Sequence, residues 1–200
     1  MNEQDVRVVS QKRTYDGYLK VEAYELEHRR FDSTWMGGIR REIVRRGPAV
    51  AVMLYDPQRD TVVLIEQFRI GAYLAKRSSP WLTEIVAGLV EKGEDPATVA
   101  RRETLEEAGC EILDLLPLYD YIVTPGCMDE TVTMFCGRVD SSKAGGHHGL
   151  EHEGEDIRVV VKPFDEAWAE LHAGGLDNSI AVIGMLWLKV NREDLRRRWT

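Results

Sequence analysis

Hydrophobic and polar positions alternate differently in the two parts of the chain. Residues 5–46 contain three loosely alternating stretches rich in β-branched and aromatic residues, VRVVSQKR, YLKVEAYELEH and GIRREIVRR, separated by YDG and FDSTWMGG. This pattern predicts a small antiparallel sheet. After Gly47 and Pro48 the strands become nearly continuous in apolar residues, with AVAVMLY and TVVLIEQF joined by DPQRD, which predicts a hairpin inside a covered sheet. We therefore expect an N-terminal β subdomain at 1–47 and a main domain at 48–200.

The order of elements in the main domain indicates its fold class. A short apolar strand, LTEIVAG, leads into a Gly-rich loop, after which Asp95 as N-cap, Pro96 as first residue and Gly109 as terminator predict a helix over about 96–108. Strand patterns follow near 112–123, 130–139 and 157–162, and then the helical patterns FDEAWAELHAGG and NSIAVIGMLWLKVN. An all-parallel doubly wound sheet would need more helices between its strands. The sequence therefore predicts an α/β fold, an α/β/α sandwich with a mixed sheet, plus the small N-terminal antiparallel β subdomain.

Composition and charge narrow the possible partners. The 200 residues include 26 Lys and Arg against 34 Asp and Glu, a formal charge of -8, which argues against broad binding to nucleic acid or to an anionic membrane. The cysteines are few and odd in number (Cys110, Cys127, Cys136), which favours reduced thiols and a cytoplasmic location. The longest apolar stretch, at 180–188, is about half the length needed to span a bilayer, and the N-terminus lacks the apolar region of a signal peptide.

The predicted helix concentrates carboxylates on one face. Glu103, Glu106 and Glu107 are three and four residues apart, so all three share that face and repel one another, although Arg102 can reach Glu106. A hard, oxygen-preferring cation such as Mg²⁺ would offset the repulsion. On the helix alone, a solvated acidic face is the more frequent explanation of such a cluster.

The wider stretch around this helix changes that balance. GLVEKGEDPATVARRETLEEAGC, from Gly88 to Cys110, resembles the signature of the Nudix hydrolases, with Thr104 and Cys110 as the two departures at aliphatic positions. The matching positions are Gly88, Glu94, Arg102, Glu103, Glu106, Glu107 and Gly109. The chain also resembles the bacterial ADP-ribose pyrophosphatase subfamily outside the signature. This resemblance is carried by Pro125, fifteen residues beyond the signature, and by the stretches RREIVRRGPAV, VVLIEQFRIGAY, WLTEIVAG, TPGCMDE and EGEDIRV.

The resemblance implies a set of roles for the acidic residues. Hydrolysis of a diphosphate requires that the charge of two phosphoryl groups be neutralised while water attacks one phosphorus, which bound metal ions do well. The implied cation is Mg²⁺, with Mn²⁺ as a possible substitute, held by the carbonyl of Ala87 and by Glu103, Glu107 and Glu155. The implied catalytic residues are Glu153, which would activate water, together with Glu106 and Arg102. Glu153 and Glu155 end KAGGHHGLEHEGED, at 143–156, which the composition predicts to be a long loop and a plausible lid.

A dinucleotide substrate would need local positive charge on this acidic protein. The candidates are Arg40, Arg41, Arg45, Arg46 and Arg69. The resemblance favours Arg41 and Arg69 as phosphate or ribose contacts, Tyr18 as a ring that stacks on adenine, and Glu130 as a contact from a second subunit. It also implies a homodimer in which the N-terminal subdomain packs across the partner. His147, His148 and His152 fit no common zinc spacing, so we interpret them as loop residues.

The resemblance thus implies an enzyme that hydrolyses ADP-ribose to AMP and ribose 5-phosphate. One alternative is hydrolysis of GDP-mannose or another sugar nucleotide, because the signature recognises the diphosphate rather than the base. In TPGCMDE, Cys127, Met128 and Asp129 stand where the subfamily has a second Gly and small hydroxyl residues, so the resemblance does not define the detailed shape of the substrate loop. A second alternative is a non-catalytic ADP-ribose sensor, which would be expected to lose signature carboxylates that this chain retains.

Overall fold

The computed structural model describes residues 1–199, with the side chain of Glu153 excepted. The strands are β1 (Val6–Asp16), β2 (Lys20–Arg29), β3 (Trp35–Arg45), β4 (Pro48–Asp56), β5 (Thr61–Phe68), β6 (Trp81–Glu84), β7 (Val86–Leu89), β8 (Asp114–Ile122), β9 (Thr131–Arg138), β10 (His147–His148) and β11 (Ile157–Pro163). The helices are α1 (Ile70–Leu74), α2 (Pro96–Ala108), α3 (Phe164–His172) and α4 (Ser179–Trp199). The chain divides into two compact units.

The first unit comprises residues 1–48 and 121–132. Its sheet has the order β1-β2-β3 with antiparallel pairing throughout, which confirms the predicted small N-terminal sheet. The segment 121–132, which the division drawn from the sequence assigned to 48–200, joins this unit through backbone hydrogen bonds at Val44. The Val44 N–H donates to the Cys127 carbonyl at 2.8 Å, and the Asp129 N–H donates to the Val44 carbonyl at 3.2 Å.

The second unit is a sheet with helices on both faces. The strand order is β10-β11-β5-β4-β9-β8, with β6 added to β5 and β7 to β4. Side chains of a strand alternate between faces: on β4, Val50 and Val52 enter an apolar cluster with Val99 of α2. On the opposite face Met53 meets Gly184 of α4, where an added Cβ would lie 3.3 Å from the Met53 sulfur. The two helices therefore pack on opposite faces, and the predicted α/β/α sandwich is confirmed.

Helix α2 begins and ends where the sequence predicts. The Asp95 carboxylate accepts a hydrogen bond from the Thr98 N–H at 2.9 Å, and Pro96 occupies the first turn, where no N–H is needed. Gly109 ends the helix with φ 63°. A side chain there would also collide with His148, whose Cε1 lies 2.4 Å from the position of a Cβ. Glycine is therefore favoured at this position both by the left-handed backbone conformation and by the lack of space.

Four features differ from the predicted elements. Helix α1 was not predicted, because five residues are too short for a helical periodicity to show. LTEIVAG forms two strands: β6 pairs with β5 and β7 pairs with β4. Helix α4 runs eight residues past the predicted pattern, because its polar last turns still bury Leu195 and Trp199. The predicted loop at 143–156 contains β10 and a 3-10 turn at Glu151–Glu153.

The three cysteines are free thiols in two different environments. Cys110 and Cys136 are buried and Cys127 is exposed. Burial raises the pKa of Cys110 to about 11 and raises that of Cys136 further. Over residues 1–199, no helix combines the length and apolar character that crossing a membrane requires.

Candidate active site

The carboxylates of α2 lie against strand β7. Glu107 is buried, and its Oε2 accepts a hydrogen bond from the Ala87 N–H at 3.1 Å. The Glu103 carboxyl carbon lies 2.1 Å from the position that a Cβ on Gly88 would take. Both carboxylates therefore meet the same short stretch of β7, and one of them occupies space that only glycine leaves open.

Arg102 bridges the two more exposed carboxylates of the helix. Its Nη1 lies 2.9 Å from Glu103 Oε1 and 3.0 Å from Glu106 Oε2. Burial lowers the pKa of Arg102, but the charges of these two glutamates and of Glu94, together with the hydrogen bond to Glu106, make the net shift upward. The Glu106 backbone carbonyl also accepts a hydrogen bond from the Gly149 N–H at 3.4 Å, which connects α2 to the segment 143–156.

Glu155 extends the acidic cluster from that segment. Its Oε2 accepts a hydrogen bond from the Leu150 N–H at 3.1 Å. Burial raises the pKa of Glu107 to about 8, and the charges of Glu103 and Glu155 add to the rise. The hydrogen bond from the Ala87 N–H and the charge of Arg69 act in the opposite direction and lower this pKa. The charges of Glu103 and Glu155 are thus close enough to oppose the ionisation of Glu107. The side chain of Glu153 lies outside the described residues.

The chemistry of this donor set fits a divalent metal ion. It offers carboxylate oxygens and the nearby backbone of Ala87, and such oxygen ligands suit Mg²⁺. A bound cation would also offset the repulsion that raises the pKa of Glu107. Among the described side chains, no group of three or more Asp, Glu, His or Cys residues is gathered at metal-binding geometry.

Arg69 stands beside these carboxylates in the second unit, held by an acidic residue that sequence reasoning missed. Its Nε and Nη2 donate to the carboxylate of Glu84, with a shortest distance of 2.7 Å. Burial lowers the pKa of Arg69, but the hydrogen bond with Glu84 and the charges of Glu84, Glu107 and Glu155 raise it overall. The only sequence signal for Glu84 is a lone acidic residue within the apolar stretch LTEIVAG.

In the first unit, the structure brings two predicted substrate contacts to one arginine. Tyr18 is 84% exposed on the turn between β1 and β2. The Arg46 guanidinium lies 5.1 Å from the Tyr18 ring centre, and its Nε lies 3.9 Å from Glu130 Oε1. Tyr18 and Glu130 therefore share Arg46, a residue that the resemblance did not favour.

Arg41 differs from its neighbours in its lack of a counter-charge. All three of the other arginines between positions 40 and 46 pair with carboxylates: Arg40 with Glu42, Arg45 with Glu22 and Asp129, and Arg46 with Glu130. Arg41 Nη1 donates instead to the Arg40 carbonyl at 2.8 Å. Within the described part of the chain no carboxylate lies within 4.0 Å of Arg41, so its positive charge is available to an anion.

Comparison with known proteins identifies the family of this chain. The Nudix domain matches residues 45–181, which include α2, β7 and Glu155. The chain belongs to the Nudix family of hydrolases, enzymes that generally need a divalent metal ion.

Individual relatives extend the match to the whole chain. The ADP-ribose pyrophosphatase of Haemophilus influenzae is 40% identical over 200 residues, covering 99% of this chain and 92% of that protein. The ADP-ribose pyrophosphatase of Escherichia coli K12 is 40% identical over 98% of this chain and 93% of its own length. A GDP-mannose pyrophosphatase of Escherichia coli O1:K1 is 29% identical, with 94% and 97% covered. A crystal structure of an ADP compounds hydrolase superimposes with a TM-score of 0.73 at 18% identity, over 100% of this chain and 98% of that one, which supports the fold.

Proposed function

We propose that this chain hydrolyses the diphosphate of ADP-ribose with water, giving AMP and ribose 5-phosphate, and that its metal is Mg²⁺. The observation that carries the proposal is 40% identity to ADP-ribose pyrophosphatases over nearly the full length of both chains. The arrangement of Glu103 and Glu107 against Ala87 and Gly88 supports it, because it concentrates oxygen donors beside one short strand.

The acidic residues divide into ligands and proton acceptors in this proposal. The Ala87 carbonyl, Glu103, Glu107 and Glu155 would hold Mg²⁺, which when bound neutralises charge on the diphosphate. Glu153 accepts a proton from the attacking water as the water oxygen bonds to phosphorus and the bridging P–O bond breaks. Arg102 holds Glu103 and Glu106 in place through its two ion pairs.

Four residues would bind the two ends of the substrate. Arg41 and Arg69 contact phosphate or ribose, and the uncompensated charge of Arg41 supports its part in this. Tyr18 stacks on adenine, and its exposed ring supports that role. Glu130 of one subunit would contact the substrate that the other subunit binds.

We further propose that the protein is a homodimer in which the first unit packs on a second copy. Strand β1 is exposed along all eleven residues, and Val6, Val8 and Val9 are among its exposed side chains. A long, partly apolar edge strand is normally covered. Sedimentation equilibrium tests this: a mass twice that of the chain is expected, and a monomer at micromolar concentration would contradict it. The free thiols and the charge of -8 support a cytoplasmic location without nucleic-acid or membrane partners.

GDP-mannose remains the second candidate substrate. A GDP-mannose pyrophosphatase is 29% identical over 94% of this chain. Cys127, Met128 and Asp129, which depart from the pattern of the ADP-ribose subfamily, lie in the segment 121–132 that belongs to the first unit. A loop that differs from this pattern is compatible with a different nucleotide sugar as substrate.

Product analysis separates these possibilities. The purified chain is incubated with Mg²⁺ and, separately, with ADP-ribose, GDP-mannose and NADH, and kcat/KM is compared with matched samples that contain EDTA. AMP and ribose 5-phosphate formed fastest from ADP-ribose are expected. A preference for GDP-mannose would keep the reaction and overturn the substrate. Binding of ADP-ribose without turnover would indicate a sensor.

A further inference from the structure

We propose that Glu84 is a positioning residue: it binds Arg69 along one edge of the guanidinium and so directs the remaining N–H groups toward a phosphate of the substrate. The inference rests on the proposed function, in which Arg69 contacts the substrate. It assigns a role to a buried acidic residue outside the Nudix signature, which neither the signature nor the metal site requires.

The geometry of the pair leaves one side of Arg69 open. Nε lies 3.1 and 3.2 Å from the two Glu84 oxygens, and Nη2 lies 2.7 Å from Oε2. Nη1 has no hydrogen-bond partner among the described residues. The Glu84 side chain is 5% exposed and that of Arg69 is 46% exposed. The carboxylate is therefore inside the protein while the guanidinium reaches solvent, as a ligand-binding arginine must.

Glu84 is itself held from two further directions. Asn178 Nδ2 donates to Glu84 Oε1 at 3.0 Å, and Gln67 Nε2 donates to Oε2 at 3.4 Å. The Asn178 side-chain oxygen accepts from the Ile180 N–H at 2.9 Å and so also caps the start of α4. Glu84 thus joins β5, β6 and α4, and its carboxylate has little freedom to turn.

A held arginine matters here because of what else it could bind. Arg69 lies near enough to Glu107 and Glu155 for their charges to act on it. Without Glu84, the guanidinium could pair with these carboxylates and compete with the metal ion for them. The pair with Glu84 thus keeps Arg69 from pairing with its own acidic neighbours and leaves its remaining N–H groups to the substrate.

The test is a double-mutant cycle on the full chain with Mg²⁺ and ADP-ribose. Glu84→Gln keeps the shape of the side chain and removes its charge. We expect KM to rise about tenfold with little change in kcat, because the interaction energy of two contacting residues commonly corresponds to a factor of that order in binding. Arg69→Gln should raise KM at least as much. The double variant should resemble Arg69→Gln alone, because Glu84 acts through Arg69. Calorimetric titration of ADP-ribose in EDTA should show the same order of Kd values without turnover.

Two further variants separate positioning from stability. Asp60→Asn breaks a comparable partly buried pair, with Arg192, elsewhere in the second unit; it should lower Tm and leave KM unchanged. If Glu84→Gln does not fold, Asn178→Ser removes one hydrogen bond to Glu84 and keeps a helix cap, and it should raise KM more modestly.

The possible outcomes are distinct. Multiplicative effects in the double variant, or a wild-type KM and Kd in Glu84→Gln, would overturn the role of Glu84 while the activity of the wild type stands. If the wild type hydrolyses GDP-mannose but not ADP-ribose, the proposed substrate fails and the same cycle is measured with GDP-mannose. If the wild type binds and hydrolyses neither nucleotide, the role of Glu84 falls with the proposed function.

Discussion

Gly88→Ala should separate the position of one carboxylate from the stability of the fold. Gly88 lies on β7 directly against Glu103, and a Cβ at this position would be 2.1 Å from the Glu103 carboxyl carbon and 2.4 Å from Cγ. Ordinary contacts of a Cβ are at 3.4 Å or more. The alanine methyl therefore cannot be accommodated unless the Glu103 side chain leaves its present place.

The required movement is small for the fold and large for the chemistry. Restoring 3.4 Å displaces the Glu103 carboxyl by about 1.3 Å, and a misplacement of about 1 Å in a catalytic site costs roughly 100-fold in rate. The atoms that must move, the carboxyl group and Cγ, belong to the flexible Glu103 side chain and not to the backbone, so little packing is lost. We expect kcat/KM for ADP-ribose to fall about 100-fold while Tm changes by less than about 2 °C.

The assay is kcat/KM as a function of Mg²⁺ concentration, with Tm measured on the same samples. Because Glu103 is a proposed metal ligand, the variant should also need more Mg²⁺ for half-maximal activity. Gly71→Ala is the matched control, since nothing lies within 4 Å of a Cβ there, and it should behave as the wild type. Activity of Gly88→Ala within threefold of the wild type would refute the assignment of Glu103 as a placed ligand.

Three further predictions concern other parts of the second unit. Glu107→Gln should lower turnover by orders of magnitude without lowering Tm, because the amide oxygen can still accept from the Ala87 N–H; near wild-type activity would remove Glu107 from the metal site. Glu153→Gln should reduce kcat strongly with little change in KM, and an unchanged kcat would place the base elsewhere. Asp60→Asn should cost about 1–3 kcal/mol in the free energy of unfolding at pH 7, measured by urea titration. The hydrogen bond from Arg192 lowers the pKa of Asp60, so this contribution is present above the ordinary value of 3.8 and is lost as pH falls below it; a difference from the wild type that grows in acid would contradict the reasoning.

Local signals made much of the fold predictable from sequence. Asp95, Pro96 and Gly109 act on their own neighbours, so helix α2 follows from residues within its own turns. The strand TVVLIEQF coincides with β5 for the same reason. The segment 121–132 could not be assigned in this way, because it joins the first unit through long-range contacts: the hydrogen bond from the Asp129 N–H to the Val44 carbonyl spans 85 positions of sequence.

The residues of the candidate site likewise fall into those that the sequence predicts and those that it does not. Glu103, Glu106 and Glu107 share a helix face at fixed spacing, so their grouping is readable without a structure. Glu84 is not, because its partners Arg69 and Asn178 are 15 and 94 positions away and no short motif contains them. The sequence also does not show which arginines pair with a carboxylate. Arg45 is paired and Arg41 is not, because folding places carboxylates beside Arg45 alone of the two.

The unequal burial of the three thiols makes the protein suited to single-site chemical labelling. At neutral pH, maleimide reagents need an accessible thiol with some thiolate character. Cys110 and Cys136 lack both, and Cys127 is exposed in the segment that belongs to the first unit. A fluorophore placed there, without any prior mutagenesis, would report from the first unit while nucleotide and metal are added.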